Sequence, residues 1–192
     1  MPGDWLAARR SEVAADRILD AAGELFARQE AATVGMHEIA SAAGCSRATL
    51  YRYFENREAL YTAYVHRESY RVYQEMTEKL AGVHDPAQRL LDGITVALRM
   101  VRESPALSSW FATNQRPIGG EMAEQSDVIK ALVEAFVASL GPGDNVEHRA
   151  RWLVRVMTSL LVFPGRDEAD ERAMIEEFVL PTVIPAAERA GQ

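Results

Sequence analysis

Arg47, Thr49 and Arg52 lie close together in the stretch Ser-Arg-Ala-Thr-Leu-Tyr-Arg-Tyr at 46–53. These residue types suit nucleic-acid readout. A guanidinium donates in a fixed fork to a guanine edge or a phosphate, and a hydroxyl donates or accepts. On a helix, Leu50 and Phe54 are four apart and pack to one side, while Ala48, Thr49 and Arg52 project to the other. That outer face holds one small residue, one hydroxyl and one guanidinium, with no acid. A helix needs such a face to enter the major groove. Arg47 and Arg52 either read guanine there or only neutralise phosphate.

Other chemistries find less support. Histidines 37, 66, 84 and 148 have no metal-ligand spacing, and no acid pair or Ser/His/Asp arrangement stands out. The chain is therefore not expected to be an enzyme, and no cofactor or metal is expected. Cys45 is the one cysteine and cannot form an internal disulfide. It reads as a small buried hydrophobe or as a redox switch.

The outward residues need two short helices and a tight turn, which residues 38–57 supply. Ile39, Ala40 and Ala43 form the inner face of the first helix. Gly44 stops it, because glycine takes the left-handed conformation at little cost. Ser46 caps the second helix with its hydroxyl. Ala40, Gly44 and Leu50 carry the spacing of a helix-turn-helix: a small residue for close approach, a turn, then an apolar lock. A plain helical hairpin is the competing reading of the same spacing.

The chain has 192 residues, enough for one large or two small domains, and its hydrophobic content of 48% can build a core. No apolar run approaches the roughly 18 residues of a membrane span. The first ten residues lack the apolar segment of a secretory signal. A soluble cytoplasmic protein with no membrane partner is expected. The net charge is −7, which argues against DNA binding until its distribution is considered. Residues 1–57 hold seven arginines against eight acids, so most of the excess acid lies beyond them.

Periodicity predicts an all-α chain of about nine helices. Residues 1–11 read as a loose arm, with Trp5, Arg9 and Arg10 either touching DNA or untethered. A first helix is predicted over 11–28, on the stripe Ile18, Ala21, Ala22, Leu25 and Phe26. Gly35 caps the next helix, with Glu38 in capping-box position and His37 exposed in its first turn. Asn56 caps a long helix over 57–80, rich in tyrosine. Asp85-Pro86 opens an apolar central helix, and Ser104-Pro105 opens a short one through Phe111. Further helices are predicted over 121–140 and Val146–Val162, and from about 167 to the residue before Pro181. Tyr73, Met100, Trp110, Phe111, Asn114 and Met157 either line a pocket for a small apolar or amphipathic effector or are ordinary core.

Three segments, I-L-D-A-A-G-E-L-F-A, E-I-A-S-A-A-G-C-S-R-A-T-L-Y-R-Y-F and N-R-E-A-L, span Ile18 to Leu60. They closely resemble the N-terminal signature of the TetR family of transcriptional regulators. The last two predicted helices, joined by S-L-L-V-F-P-G, resemble a C-terminal type found in actinobacterial members. The resemblance implies a three-helix DNA-binding head over 1–56 and a larger ligand-binding and dimerisation domain over 57–192. It implies a recognition helix in which Arg47 and Thr49 face bases or phosphates and Tyr51 and Tyr53 give hydroxyls to phosphates. Arg57 stands where the family commonly holds a phosphate with lysine, and His37 where some members reach the groove. Ser46, Ala48 and Arg52 complete the expected DNA surface. Two positions depart from the pattern. Glu30 replaces a glycine, and Gly35 replaces a hydroxyl cap that would contact phosphate.

The resemblance further implies a homodimer through the last two helices, with Trp152, Val156 and Leu160 facing Met174 and Phe178. Two-fold symmetry then implies a palindromic double-stranded operator. A small-molecule effector in the C-terminal cavity would shift the long helix that starts at Arg57 and lower DNA affinity. The alternative is a helical ligand-binding or scaffold protein without specific DNA binding.

Overall fold

The computed structural model describes residues 4–112 and 118–184, and all regular structure in them is helical. Helix α1 spans Asp4–Phe26. Residues 4–11 of the predicted loose arm are therefore helical, as the alanines and long charged side chains of that stretch favour. A 3-10 turn at Ala31–Thr33 leads to α2 (Met36–Ala42) and α3 (Arg47–Tyr53). The long α4 spans Arg57–Lys79 and the central α5 spans Pro86–Glu103. Helix α6 (Pro105–Ser108) runs into a 3-10 turn at Ser109–Phe111.

The single helix predicted over 121–140 is two helices, α7 (Ile118–Gln125) and α8 (Asp127–Ala138). Ser126 divides them. Its backbone is extended and its Oγ accepts the Ile129 N–H at 3.1 Å, while Asp127 adds an acid in the first turn. Helix α9 spans Val146–Val162.

The final helix does not stop before Pro181. Helices α10 (Glu168–Met174) and α11 (Leu180–Val183) are joined by a π turn at Ile175–Val179 into one rod. A proline cannot donate to the residue four back and its ring crowds that carbonyl. The π turn immediately before it shifts the hydrogen-bond register and lets the rod continue.

Two apolar clusters form the core. One joins Ile18, Ala22 and Phe26 of α1 to Ile39, Leu50, Phe54, Leu60, Tyr61, Tyr64 and Trp110. The other joins α5, α8, α9 and the final rod, through Leu90, Ile94, Leu98, Phe136, Leu153, Ile175 and Val183 among others. At Gly93 a Cβ would stand 2.5 Å from Phe136 Cζ. Only glycine leaves room for the Phe136 ring against α5 there. No helix among the described residues is long and apolar enough to cross a membrane.

Candidate nucleic-acid interface and effector cavity

The turn before α3 is built as the residues require. Gly44 has φ +64°, and Cys45 N–H donates to Ala40 O at 3.0 Å while Gly44 N–H donates to Ser41 O at 3.1 Å. This is a Schellman closure, with glycine in the left-handed position. Cys45 is half-buried against the head core. Ser46 Oγ then accepts the Thr49 N–H at 3.1 Å and starts α3.

Leu50 is fully buried, and Arg47, Ala48, Tyr51 and Arg52 are exposed. At about 100° per residue, Ala48 and Arg52 lie opposite Leu50. Arg47 and Tyr51 flank them on one side, and the half-buried Thr49 and Tyr53 on the other. Thr49 Oγ1 is 2.9 Å from Ser46 Oγ, so the two hydroxyls share one polar spot. The Arg52 guanidinium lies 5.3 Å from the Tyr53 ring centroid, which steadies both side chains. The structure thus brings Ser46, Arg47, Ala48, Thr49, Tyr51 and Arg52 onto one surface without an acid.

Helix α2 begins at Gly35, whose N–H donates to Glu38 Oε2 at 2.9 Å. That bond, with one from Gln29, holds the Glu38 carboxyl below the ordinary carboxylate range. The acid is thereby committed to a helix cap. His37 beside it is exposed.

Arg57 is placed differently from the other arginines. Its Nη2 donates to Ala32 O at 3.0 Å, and its guanidinium lies 4.9 Å from the Tyr61 ring centroid. It braces the 3-10 turn against α4. The Tyr61 hydroxyl does the same from inside, 2.5 Å from Ala31 O and 2.7 Å from Val34 O, and burial pushes its pKa up to about 12. In the sequence Tyr61 is one of several tyrosines on the helix over 57–80, and nothing there marks this role. A buried tyrosine hydroxyl always needs a partner, but nothing local shows that carbonyls some thirty positions earlier supply it.

A cavity of about 190 Å³ lies between α4, α5, α6, α7, α8 and α9. Of the expected residues, Tyr73, Trp110, Phe111 and Met157 line it. Met100 does not. On α5 the lining residues are Gly93, Ile94, Ala97 and Val101, and Met100 sits on the flank of that face. Asn114 lies outside the described residues. Sequence reasoning missed Glu68, which is only 8% exposed, lines the cavity and pairs with Arg67 at 3.2 Å and Arg71 at 3.4 Å. It stands beside Arg67 and four before Val72, the neighbour of Arg71, and nothing in the local sequence marks it as a buried acid. Among the described residues no group of three or more His, Cys, Asp or Glu is placed to hold a metal ion.

The expected dimer face is partly outward. Trp152 is 49% exposed and Phe178 61%, with Phe163 at 72% on the same side of α9 as Trp152. Val156 and Met174 are half-buried, and Leu160 is buried in the C-terminal core.

Residues 18–64 match the model of bacterial regulatory proteins of the tetR family. The HTH-type transcriptional regulator Rv1255c of Mycobacterium tuberculosis (strain H37Rv) is 65% identical over 189 residues, covering 97% of this chain and 94% of that one. RolR in complex with resorcinol superimposes with a TM-score of 0.73 at 17% identity, over 95% of this chain and 93% of its own. QsdR, a transcriptional repressor of R. erythropolis, does so with a TM-score of 0.65 at 21% identity, over 90% of this chain and 95% of its own. With its all-helical fold and its exposed, acid-free recognition face, the chain belongs to the TetR family and is a helix-turn-helix transcriptional regulator.

Proposed function

We propose that the protein is a dimeric repressor that holds a palindromic operator and releases it when a small molecule fills the C-terminal cavity. Residues 1–56 bind DNA, and residues 57–192 bind the effector and form the dimer, with α4 serving both parts. Arg47 and Arg52 contact bases or phosphates in the major groove. Ser46, Thr49, Tyr51 and Tyr53 supply hydroxyls to the backbone, and His37 approaches from α2. Arg57 braces the 3-10 turn against α4 through Ala32 and Tyr61, and from there its exposed guanidinium holds a phosphate.

Dimerisation uses the outward side of α9 and the final rod. Exposed Trp152, Phe163 and Phe178 there form an apolar surface that a second copy would cover. A protein with this surface, no membrane-spanning helix among its described residues and a DNA target acts in the cytoplasm.

One observation carries the effector reading. Trp110 lines the cavity and is also packed inside the head core, against Phe26, Tyr61 and Tyr64. Filling the cavity therefore acts on residues that support the helix-turn-helix. The solved structure of RolR with resorcinol and the naming of QsdR as a repressor support the same reading. The test is in vitro transcription from a promoter that carries the selected binding site. Repression requires transcript yield to fall as protein is added. A rise in yield makes the protein an activator, and no change removes the regulatory reading of that site.

A further inference from the structure

The cavity wall carries a few polar groups, Glu68 and Trp110 among them. Tyr64 and Glu68 are one turn apart on α4, so they share a face. Trp110 stacks on Tyr64 with 5.9 Å between centroids and 7° between planes. The indole and Glu68 both line the same largely apolar space, the indole stacked on Tyr64 and Glu68 one turn further along α4. Trp110 is 2% exposed, and its Nε1–H is buried without an acceptor. An unpaired buried donor is costly and calls for a partner. Glu68 already meets two guanidiniums, from Arg67 and Arg71. With two guanidiniums on it, Glu68 attracts an amine less than a bare carboxylate would, and it would repel a ligand carboxylate. Its oxygens still have lone pairs free to accept a neutral O–H.

Size narrows the ligand further. An apolar cavity of about 150 Å³ takes benzene, and this one is about 190 Å³. One ring with a few added carbons fits. We infer that the cavity binds a neutral, hydroxyl-bearing, single-ring compound, whose O–H donates to Glu68 and whose oxygen accepts from Trp110 Nε1. This assignment deepens the effector reading above and rests on it.

The ligand's hydroxyl also meets a link to the head. Arg67, which donates to Glu68, also donates to Asp20 at 2.9 Å and to Asp16 O at 3.3 Å on α1. A ligand on Glu68 therefore touches the acid that shares Arg67 with α1.

The test is calorimetric titration of the full-length protein with 4-propylphenol and with propylbenzene, which differ only in the hydroxyl. The phenol should bind about tenfold or more tightly. In Glu68→Met and Trp110→Phe that ratio should fall toward one, whatever each substitution does to the affinity for propylbenzene itself. The wild-type comparison needs no variant, so a misfolded variant leaves it intact. Equal affinity of the two compounds for the wild type overturns the assignment. So does a ratio that survives both substitutions, or binding of neither compound. Operator affinity measured with and without 4-propylphenol is read separately. If the phenol preference is present and depends on Glu68 while operator affinity stays unchanged, the binding site stands and the effector reading fails.

Discussion

The Trp110 indole meets the Phe26 ring edge-on at 5.1 Å between centroids, although the two residues belong to different ends of the fold's logic. Phe26 ends α1 of the DNA-binding head, and Trp110 walls the cavity. The same indole contacts Tyr61 at 5.1 Å and Tyr64 at 5.9 Å. Edge-to-face and stacked pairs each add roughly 0.5–1.5 kcal/mol beyond burial. Four rings thus make one rigid unit that reads the cavity from one side and supports the recognition helix from the other.

That unit predicts a long-range effect. Trp110→Ala should cost about 3–5 kcal/mol of stability, as large buried aromatics do. It should also lower amide-exchange protection at the end of α1 and the start of α4, far from residue 110 in the chain. Protection lost only around α6 and α7 would mean that the ring is local packing.

The arginines and tyrosines of α3 should separate by role. Arg47→Ala is expected to weaken operator binding by about 1–3 kcal/mol and to relax base preference at one position of each half-site. Tyr51→Phe should cost about 1 kcal/mol, equally for all sequences. Anisotropy titrations with single-base operator variants measure both.

Trp152→Glu with Phe178→Glu should turn a dimer into a monomer in sedimentation velocity, with the helical spectrum kept. Both side chains are half-exposed or more in the isolated chain, so the folded monomer tolerates the charge. Operator affinity should fall together with dimerisation. A doubly substituted protein that stays dimeric places the interface elsewhere.

Arg102 joins α5 to the final rod. Its Nη1 and Nη2 donate to Glu171 at 2.8 and 2.7 Å, and Nη2 also donates to Leu160 O at 2.9 Å. Glu171 further accepts the Gly165 N–H at 2.8 Å. The Arg102 bonds, against the opposing effect of burial, hold the Glu171 carboxyl below its ordinary 4.5. Because its folded pKa is depressed, the stabilisation is complete above about pH 4.5 and is lost as pH falls through the lower folded value. Arg102→Met should cost about 3 kcal/mol at neutral pH, toward the low end for a broken pair because Arg102 keeps some contact with water. Urea unfolding across pH should show this gap narrowing below pH 4.5. A gap that does not change with pH would assign the loss to packing alone.

Much of the head was legible in the sequence, because its signals are local. Gly44, Ser46 and Leu50 form the turn, cap and lock that their types and spacing require. The C-terminal domain was less legible where distant parts meet. Ser126 is an ordinary cap residue beside Gln125 and Asp127, within a stretch whose helical periodicity continues on both sides, and only the structure shows the chain breaking there. Pro181 signals a helix end, but the preceding π turn overrides it. Glu68 and Trp110 were hardest, since the carboxylate's burial and the indole's place in the head depend on elements that join only in the folded chain.

Sequence-specific recognition by a symmetric dimer is decided by selection from random duplex DNA. A two-fold-symmetric site should be enriched, its half-sites about one helical turn apart or somewhat more, and that enrichment should be lost in Arg47→Ala with Arg52→Ala. Enrichment of no symmetric sequence, or the same site enriched by the substituted protein, would contradict it.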